Sequence, residues 1–137
     1  MRKLVLILAL SLAAGCASSN GVPTMRQTCE DTYDTVWVAA QAAVRRVGGS
    51  IVNSNRSSGT ILGRLDPDVM GAAIDLHITL SRLPDHQPGT LQPVTVTVRA
   101  TDPRVEEPSP GRVEDLRTLE ERYLRLVGER AACGGPV

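Results

Sequence analysis

The 137-residue sequence contains no phenylalanine, one tryptophan and two tyrosines. Any core it forms must therefore be built from Val, Leu, Ile and Ala, and a thin core of that kind gains from extra covalent stapling. The apolar stretch Leu4 to Leu12 falls well short of the roughly 20 residues a membrane-crossing helix needs. Acidic and basic side chains balance at 15 each, which argues against a dedicated nucleic-acid or anionic-lipid surface. No Cys-x-x-Cys pair, nucleophile elbow or spaced set of metal ligands occurs. With those motifs missing, no catalytic residue, metal site or cofactor is expected.

What is present begins at the N-terminus. Arg2 and Lys3 precede Leu4 to Leu12, then Ala13-Ala14-Gly15 lead to Cys16, after which the chain turns polar. That order is that of a cleaved export signal, and the small residues before the cysteine resemble the lipobox of bacterial lipoproteins. The resemblance implies cleavage before Cys16, diacylation of its sulfur and acylation of its new amino group. Residues 1–15 are then a leader, 16–23 a lipidated cysteine with a tether, and 24–137 a single domain. At about 0.8 kcal/mol per buried methylene, two or more acyl chains anchor firmly. In Gram-negative lipoproteins an aspartate after the cysteine favours inner-membrane retention, so Ala17 implies the outer membrane, facing the periplasm.

Without Arg2 and Lys3, thirteen basic side chains face fifteen acidic ones, and no nucleic-acid partner is expected. Even extended, Ala17 to Pro23 reaches only about 25 Å at roughly 3.5 Å per residue, which keeps the domain close to the membrane. With Cys16 committed to lipid, Cys29 and Cys133 remain as an even pair in an oxidising compartment, and a bridge is expected ahead of free thiols. It would stabilise by about 4 to 5 kcal/mol if the two Cα atoms come within about 7 Å.

Along the domain, Thr24 to Cys29 admits a short edge strand but is left out of the expected sheet. Asp34 is a candidate N-cap for a helix in which Val36, Ala40, Ala43, Val44 and Val47 recur at helical spacing up to Gly48-Gly49. Ser50 to Ser54 and Thr60 to Leu65 read as a hairpin around the Asn55 to Gly59 turn, and Asp66 to Gly71 as a loop. Ile74, Leu76, Ile78 and Leu80 alternate with Asp75, His77, Thr79 and Ser81. Val94, Val96, Val98 and Ala100 alternate with Thr95, Thr97, Arg99 and Thr101. Strict period two predicts one buried and one wet face for each strand. Pro84 to Gly89 connects them, with Pro93 at the start of the second strand. After the proline-rich Asp102 to Gly111, a stripe of Val113, Leu116, Leu119, Tyr123, Leu126 and Val127 predicts a last helix, with Arg117, Glu121, Arg125 and Glu129 able to pair at i,i+4. The expected fold is α+β, in the order α-β-β-β-β-α: a four-stranded antiparallel sheet with two helices on one face.

Tyr33-Asp34-x-x-Trp37, then Val47-Gly48, then Asn55-Arg56-Ser57-Ser58-Gly59-Thr60-Ile61, resembles a module of small bacterial lipoproteins of uncharacterised function. It is also similar to the helix-grip domains of the C-subunit lipoprotein of the outer-membrane β-barrel assembly machine. The resemblance covers about Tyr33 to Ala100 and implies a helix-grip-like fold in which the Asp caps the helix, the Trp plugs the end of the sheet and Gly59 supplies a positive φ.

Candidate chemistry is sparse. Asp75, His77 and Ser81 project from one strand, but positions i and i+2 lie about 7 Å apart, beyond hydrogen-bond reach, and a solvated face explains them better. His77 with His86, Asp66, Asp68 or Asp85 matches no known ligand spacing. Asn55 to Gly59 with Arg56 has the composition of an anion cradle and equally of a hairpin turn, which is favoured. Trp37 reads as core rather than as an anchor for a partner. The wet sheet face, Asp75, His77, Thr79, Thr95, Thr97 and Arg99, is the best candidate docking surface. The expected function is a non-enzymatic, lipid-anchored accessory or protein-binding module of the cell envelope, bound to the membrane by its anchor and to an envelope protein by that face. The competing readings are a metal-binding or hydrolytic protein using His77 and nearby acids, and a structural lipoprotein without a specific partner.

Overall fold

The computed structural model describes residues 24–67, 71–82 and 91–137. The leader, Cys16, the tether to Pro23, Asp68, Asp85, His86 and the Pro84 to Gly89 connection lie outside the described residues. The elements are β1 (Met25–Asp31), α1 (Tyr33–Arg46), β2 (Gly49–Asn55), β3 (Thr60–Leu65), β4 (Ile74–Arg82), β5 (Gln92–Thr101) and α2 (Pro110–Gly128). The fold is α+β with an antiparallel sheet, but the sheet has five strands rather than four, in the order β1-β5-β4-β3-β2.

The additional strand is β1, which pairs with β5 from Met25 opposite Val98 to Asp31 opposite Gln92. Met25, Gln27 and Cys29 face the core while Arg26, Thr28 and Glu30 face outward. Its period of two is hidden in the sequence because one of its three inward residues is a glutamine. Register with β5 decides its place.

The inward residues of the strands, including Ile61, Leu65, Ile74, Leu76, Ile78, Leu80, Val94, Val96, Val98 and Ala100, form one apolar cluster with both helices. The second helix packs on β5 and β1, and α1 packs on β2 and on the second helix. Tyr123 fastens the helix layer: its buried hydroxyl donates to the Ala40 carbonyl at 3.1 Å, and burial raises its pKa. The last helix begins inside the proline-rich link, with Ser109 as N-cap and Pro110 in the first turn, where a missing amide hydrogen is harmless. It ends at Gly128, before the Cys133-Gly134-Gly135-Pro136 stretch expected to stop it.

That final stretch has a different role. Glu30 N–H donates to Ala132 O, Gly134 N–H to Thr28 O, and Arg26 and Val137 exchange both bonds, so residues 132–137 lie along the outer edge of β1. Cys29 and Cys133 are joined by the expected disulfide, their Cα atoms 3.8 Å apart. An exposed strand edge is a template for aggregation, and here one edge of the sheet is covered by the chain's own end.

Two local expectations are corrected. The α1 N-cap is Thr32, whose hydroxyl accepts from Thr35 N–H, and Asp34 sits in the first turn instead. Asp75, expected on the wet face, is buried against Arg64. Gly59 does adopt a positive φ, +70°, and a Cβ there would fall 2.2 Å from the Leu80 carbonyl oxygen. Leu80 N–H also bonds the Gly59 carbonyl at 2.7 Å, so the turn cannot move aside freely. Gly59→Ala should therefore lower stability by about 2 kcal/mol or more, with a fall in the urea midpoint at unchanged slope; a midpoint equal to that of the parent would contradict this contact.

Candidate functional site

The face of the sheet opposite the helices is covered by none of the described elements. On it, His77 lies opposite Arg99, Thr79 opposite Thr97, Ser81 opposite Thr95 and Asp75 opposite Thr101. Strand β3 adds Leu62 beside His77 and Thr60 beside Thr79, and β1 adds Arg26 beside Thr97 and Thr28 beside Thr95. The six residues read from the sequence thus occupy the two neighbouring strands β4 and β5, because period two sends alternate side chains to the same side. His77, Thr79 and Arg99 are exposed, and Thr95 and Thr97 are half-buried between their neighbours.

Asp75 differs from the rest. Arg64 Nε meets Asp75 Oδ1 at 2.8 Å and Nη2 meets Oδ2 at 3.3 Å, so both carboxylate oxygens are engaged across β3 and β4. The hydrogen bond to Asp75 raises the pKa of Arg64. His77 Nε2 lies 3.2 Å from Thr101 Oγ1. The residues named for a hydrolytic triad are therefore each held by other partners or spaced along the strand. Among the described residues no three His, Cys, Asp or Glu side chains gather as a metal site. A shallow hollow of about 200 Å³ lies on this face, lined by Asn53, Thr60, Leu62, His77 and Thr79. Asn53 follows an irregularity in the β2–β3 register between Ile51 and Asn53 that leaves Val52 unpaired and half exposed. This bulge was not legible in the sequence, where Ser50 to Ser54 shows no break.

The motif around α1 serves as a clasp. Tyr33 Oη donates to the Arg56 carbonyl at 2.9 Å, and Asp34 forms an ion pair with Arg56. The Tyr33 ring stacks on Trp37 with centroids 6.2 Å apart, and the Arg82 guanidinium carbon lies 4.4 Å from the Tyr33 ring centroid. Burial raises the Tyr33 pKa, and the fields of Arg82 and Arg56 oppose that shift. In the turn, Asn55 Oδ1 accepts from Ser58 N–H, and Ser58 Oγ bonds back to Asn55 O. These groups are spent in holding the hairpin against the start of α1, which supports a turn over an anion cradle. Trp37 is buried, as read from the sequence.

Two buried polar residues escaped the sequence reading. Glu120 is fully buried, and one of its oxygens accepts from Ala100 N–H at 2.7 Å. Met25, Gln27, Cys29 and Asp31 bond β5 while Arg26 and Glu30 point to the C-terminal segment. By that alternation the Ala100 amide faces the β1 side beyond the strand's first residue, and Glu120 supplies the acceptor that β1 no longer provides. Its place on the buried face was detectable: it is four residues from both Leu116 and Leu124, three from Tyr123. Gln27, between Met25 and Cys29, carried no such signal, because a polar residue at the inward position masks the alternation of β1.

Fold and face together define a small α+β domain with a helical layer on one side of a five-stranded sheet and a polar face, covered by none of the described elements, on the other. No protein-family model and no curated protein sequence matches this chain. No helix among the described residues is long and apolar enough to cross a membrane.

Proposed function

We propose that this protein is a lipid-anchored, non-enzymatic module of the bacterial cell envelope, held at the periplasmic face of the outer membrane through Cys16, which engages an envelope protein with its open sheet face. The lipobox-like run ending at Cys16 supports the anchor. The observation that carries the binding role is the uncovered face on which His77, Thr79, Thr95, Thr97 and Arg99 lie together on two adjacent strands. The helix-grip-like likeness to the assembly-machine lipoprotein belongs to the same proposal. Asp75 drops out of the docking set, because its carboxylate is committed to Arg64.

The only lysine in the sequence is Lys3, in the leader, so amine-reactive reagents have no side chain to attack on the domain. The suitable experiment places a photo-cross-linking residue at Thr79 or Thr97, and at Glu114 on the helix side as control, in intact cells. A discrete adduct should form from the sheet positions and not from Glu114. Arg99→Glu should abolish it while leaving the domain folded, since Arg99 is exposed. Equal adducts from both sides, or none from the sheet, would remove the docking role.

A further inference from the structure

The two edges of the sheet are finished differently. Residues 132–137 lie along β1, whereas β2 bonds β3 on one side and no other described strand pairs with its outer side. An edge of this kind presents a row of unpaired N–H and C=O groups, and proteins guard such rows with charged side chains, proline, a bulge or a cover. Strand β2, Gly49-Ser50-Ile51-Val52-Asn53-Ser54-Asn55, has no charged residue and no proline. Every other strand carries at least one charge, among them Arg26 in β1, Arg64 in β3, Asp75 in β4 and Arg99 in β5. The strand with an open side is thus the one without charge. Its midpoint is Val52, which is 50 % exposed and, at the register irregularity, opposite no residue of β3. The bulge is the one guarding device present, and the residue it exposes is apolar.

These features select a second copy of the same strand as the occupant. Two copies pairing antiparallel about a two-fold axis at Val52 place Val52 against Val52, Ile51 against Asn53, Ser50 against Ser54 and Gly49 against Asn55. The two valines then cover each other, since directly opposed Cβ atoms lie about 4.5–5.5 Å apart. Serine and asparagine both donate and accept hydrogen bonds and so complement themselves, whereas a charge near the axis would meet its own sign. An edge that recognises a different protein draws specificity from complementary charge, and β2 offers none.

We propose that β2 is a self-association edge through which two copies of this chain join their five-stranded sheets into one continuous sheet. Directly opposed residues share a face, so the open faces of both copies become a single surface. The pairing stands whether or not that surface docks a partner. One strand pair is a small interface, in the class below about 1,200 Å² where association is weak, so it is best trapped covalently.

The test is diamide oxidation of whole cells that make the full chain in two differently tagged forms. Val52→Cys should give a disulfide-linked dimer carrying both tags, about tenfold above the parent and above Glu114→Cys on the second helix. Ser50→Cys mixed with Ser54→Cys should cross-link far more than either alone, because across the axis Ser50 meets Ser54 while two Ser50 residues lie about 13 Å apart at roughly 3.3 Å per residue. Adding Val52→Lys to both chains should reduce that mixed cross-link about tenfold, and Val52→Lys in one with Val52→Glu in the other should restore it. Restoration also shows that the variants fold. A Val52→Cys dimer no stronger than that of Glu114→Cys, or equal cross-linking from Ser50→Cys alone, would overturn the proposal. So would failure of the Lys and Glu pair to restore the bond, or a Val52→Cys adduct whose mass is not twice that of the chain, the mark of a different partner.

Discussion

Replacing Cys29 and Cys133 together by serine should lower the unfolding free energy by about 4–5 kcal/mol, the loop-closure value for partners this far apart in the chain. The bond joins residues separated by 104 positions, so almost the whole domain lies inside the loop it closes. Its removal acts first on the unfolded ensemble. A second effect is local: without the bond, residues 132–137 are held to β1 only by backbone hydrogen bonds and by the bond from Ala132 N–H to Asp31 Oδ2. The amides of Gly134, Val137, Arg26 and Glu30 should then exchange much faster than those of β4 and β5. Bared of its cover, the β1 edge should also make the reduced protein aggregate more readily. Urea unfolding of the double variant, beside the parent with and without reductant, checks the first point and amide exchange the second. A loss below about 1 kcal/mol, or protection of Gly134 equal to that in the bonded protein, would show that packing rather than the bond closes the edge.

Glu120→Gln should flatten the pH dependence of stability and leave the domain more stable than its parent near neutral pH by up to about 3 kcal/mol. Desolvation in the interior raises the Glu120 pKa from 4.5 to about 7, against the opposing pull of the Ala100 amide and the fields of Arg99 and Arg117. The unfolded chain releases this proton near 4.5 while the folded chain holds it to about 7. Between those values the unfolded state binds fewer protons, so stability falls as pH rises through the window and levels off above it.

Asp102 works in the opposite direction. Its pKa is lowered mainly by the Arg104 backbone amide, so the stability it contributes is lost in acid. Comparing parent and variant at each pH removes that contribution. A glutamine keeps an acceptor for Ala100 N–H, but its amide nitrogen takes over the buried position where Glu120 Oε2 now lacks a partner, which offsets part of the gain. The quantity to measure is the difference in unfolding free energy from pH 4.5 to 8. Parallel curves for the two proteins would mean that Glu120 is not desolvated as its burial indicates.

Much of the fold was legible in the chain. The apolar alternation of β4 and β5 and the helical stripe from Leu116 to Val127 correspond to the elements found, because burial on one face imposes the same period in sequence and in space. The turn at Asn55 to Gly59 was legible because asparagine, serine and glycine favour its backbone angles. The strand β1 was not counted, and Asp75 was assigned to solvent, for one shared reason. Both depend on a neighbour supplied from elsewhere in the chain: β5 for the strand, Arg64 for the carboxylate. The Tyr33-Asp34 motif was recognised, but its aspartate was given a capping role that belongs to Thr32. A cap and a cross-element ion pair use the same residue type, and only the position of Arg56 distinguishes them.

For the candidate site, period two alone placed His77, Thr79, Thr95, Thr97 and Arg99 on one surface. It could not show that β4 and β5 are adjacent, nor that Leu62 and Asn53 complete a hollow beside them.

Local periodicity and turn chemistry are properties of residues close in the chain, and from them the sequence alone determined the helices, four of the five strands and the hairpin turn; the bridge between Cys29 and Cys133 was an expectation resting on the reading of Cys16 as lipidated, and the structure joins the two. Tertiary structure alone decided what lies beside each element: the C-terminal segment against β1, Glu120 beneath Ala100, and Gln27 beneath Gly128. Strand pairing and helix–sheet packing join residues distant in sequence, and the energy of those contacts depends on which partner arrives, a quantity no single segment encodes.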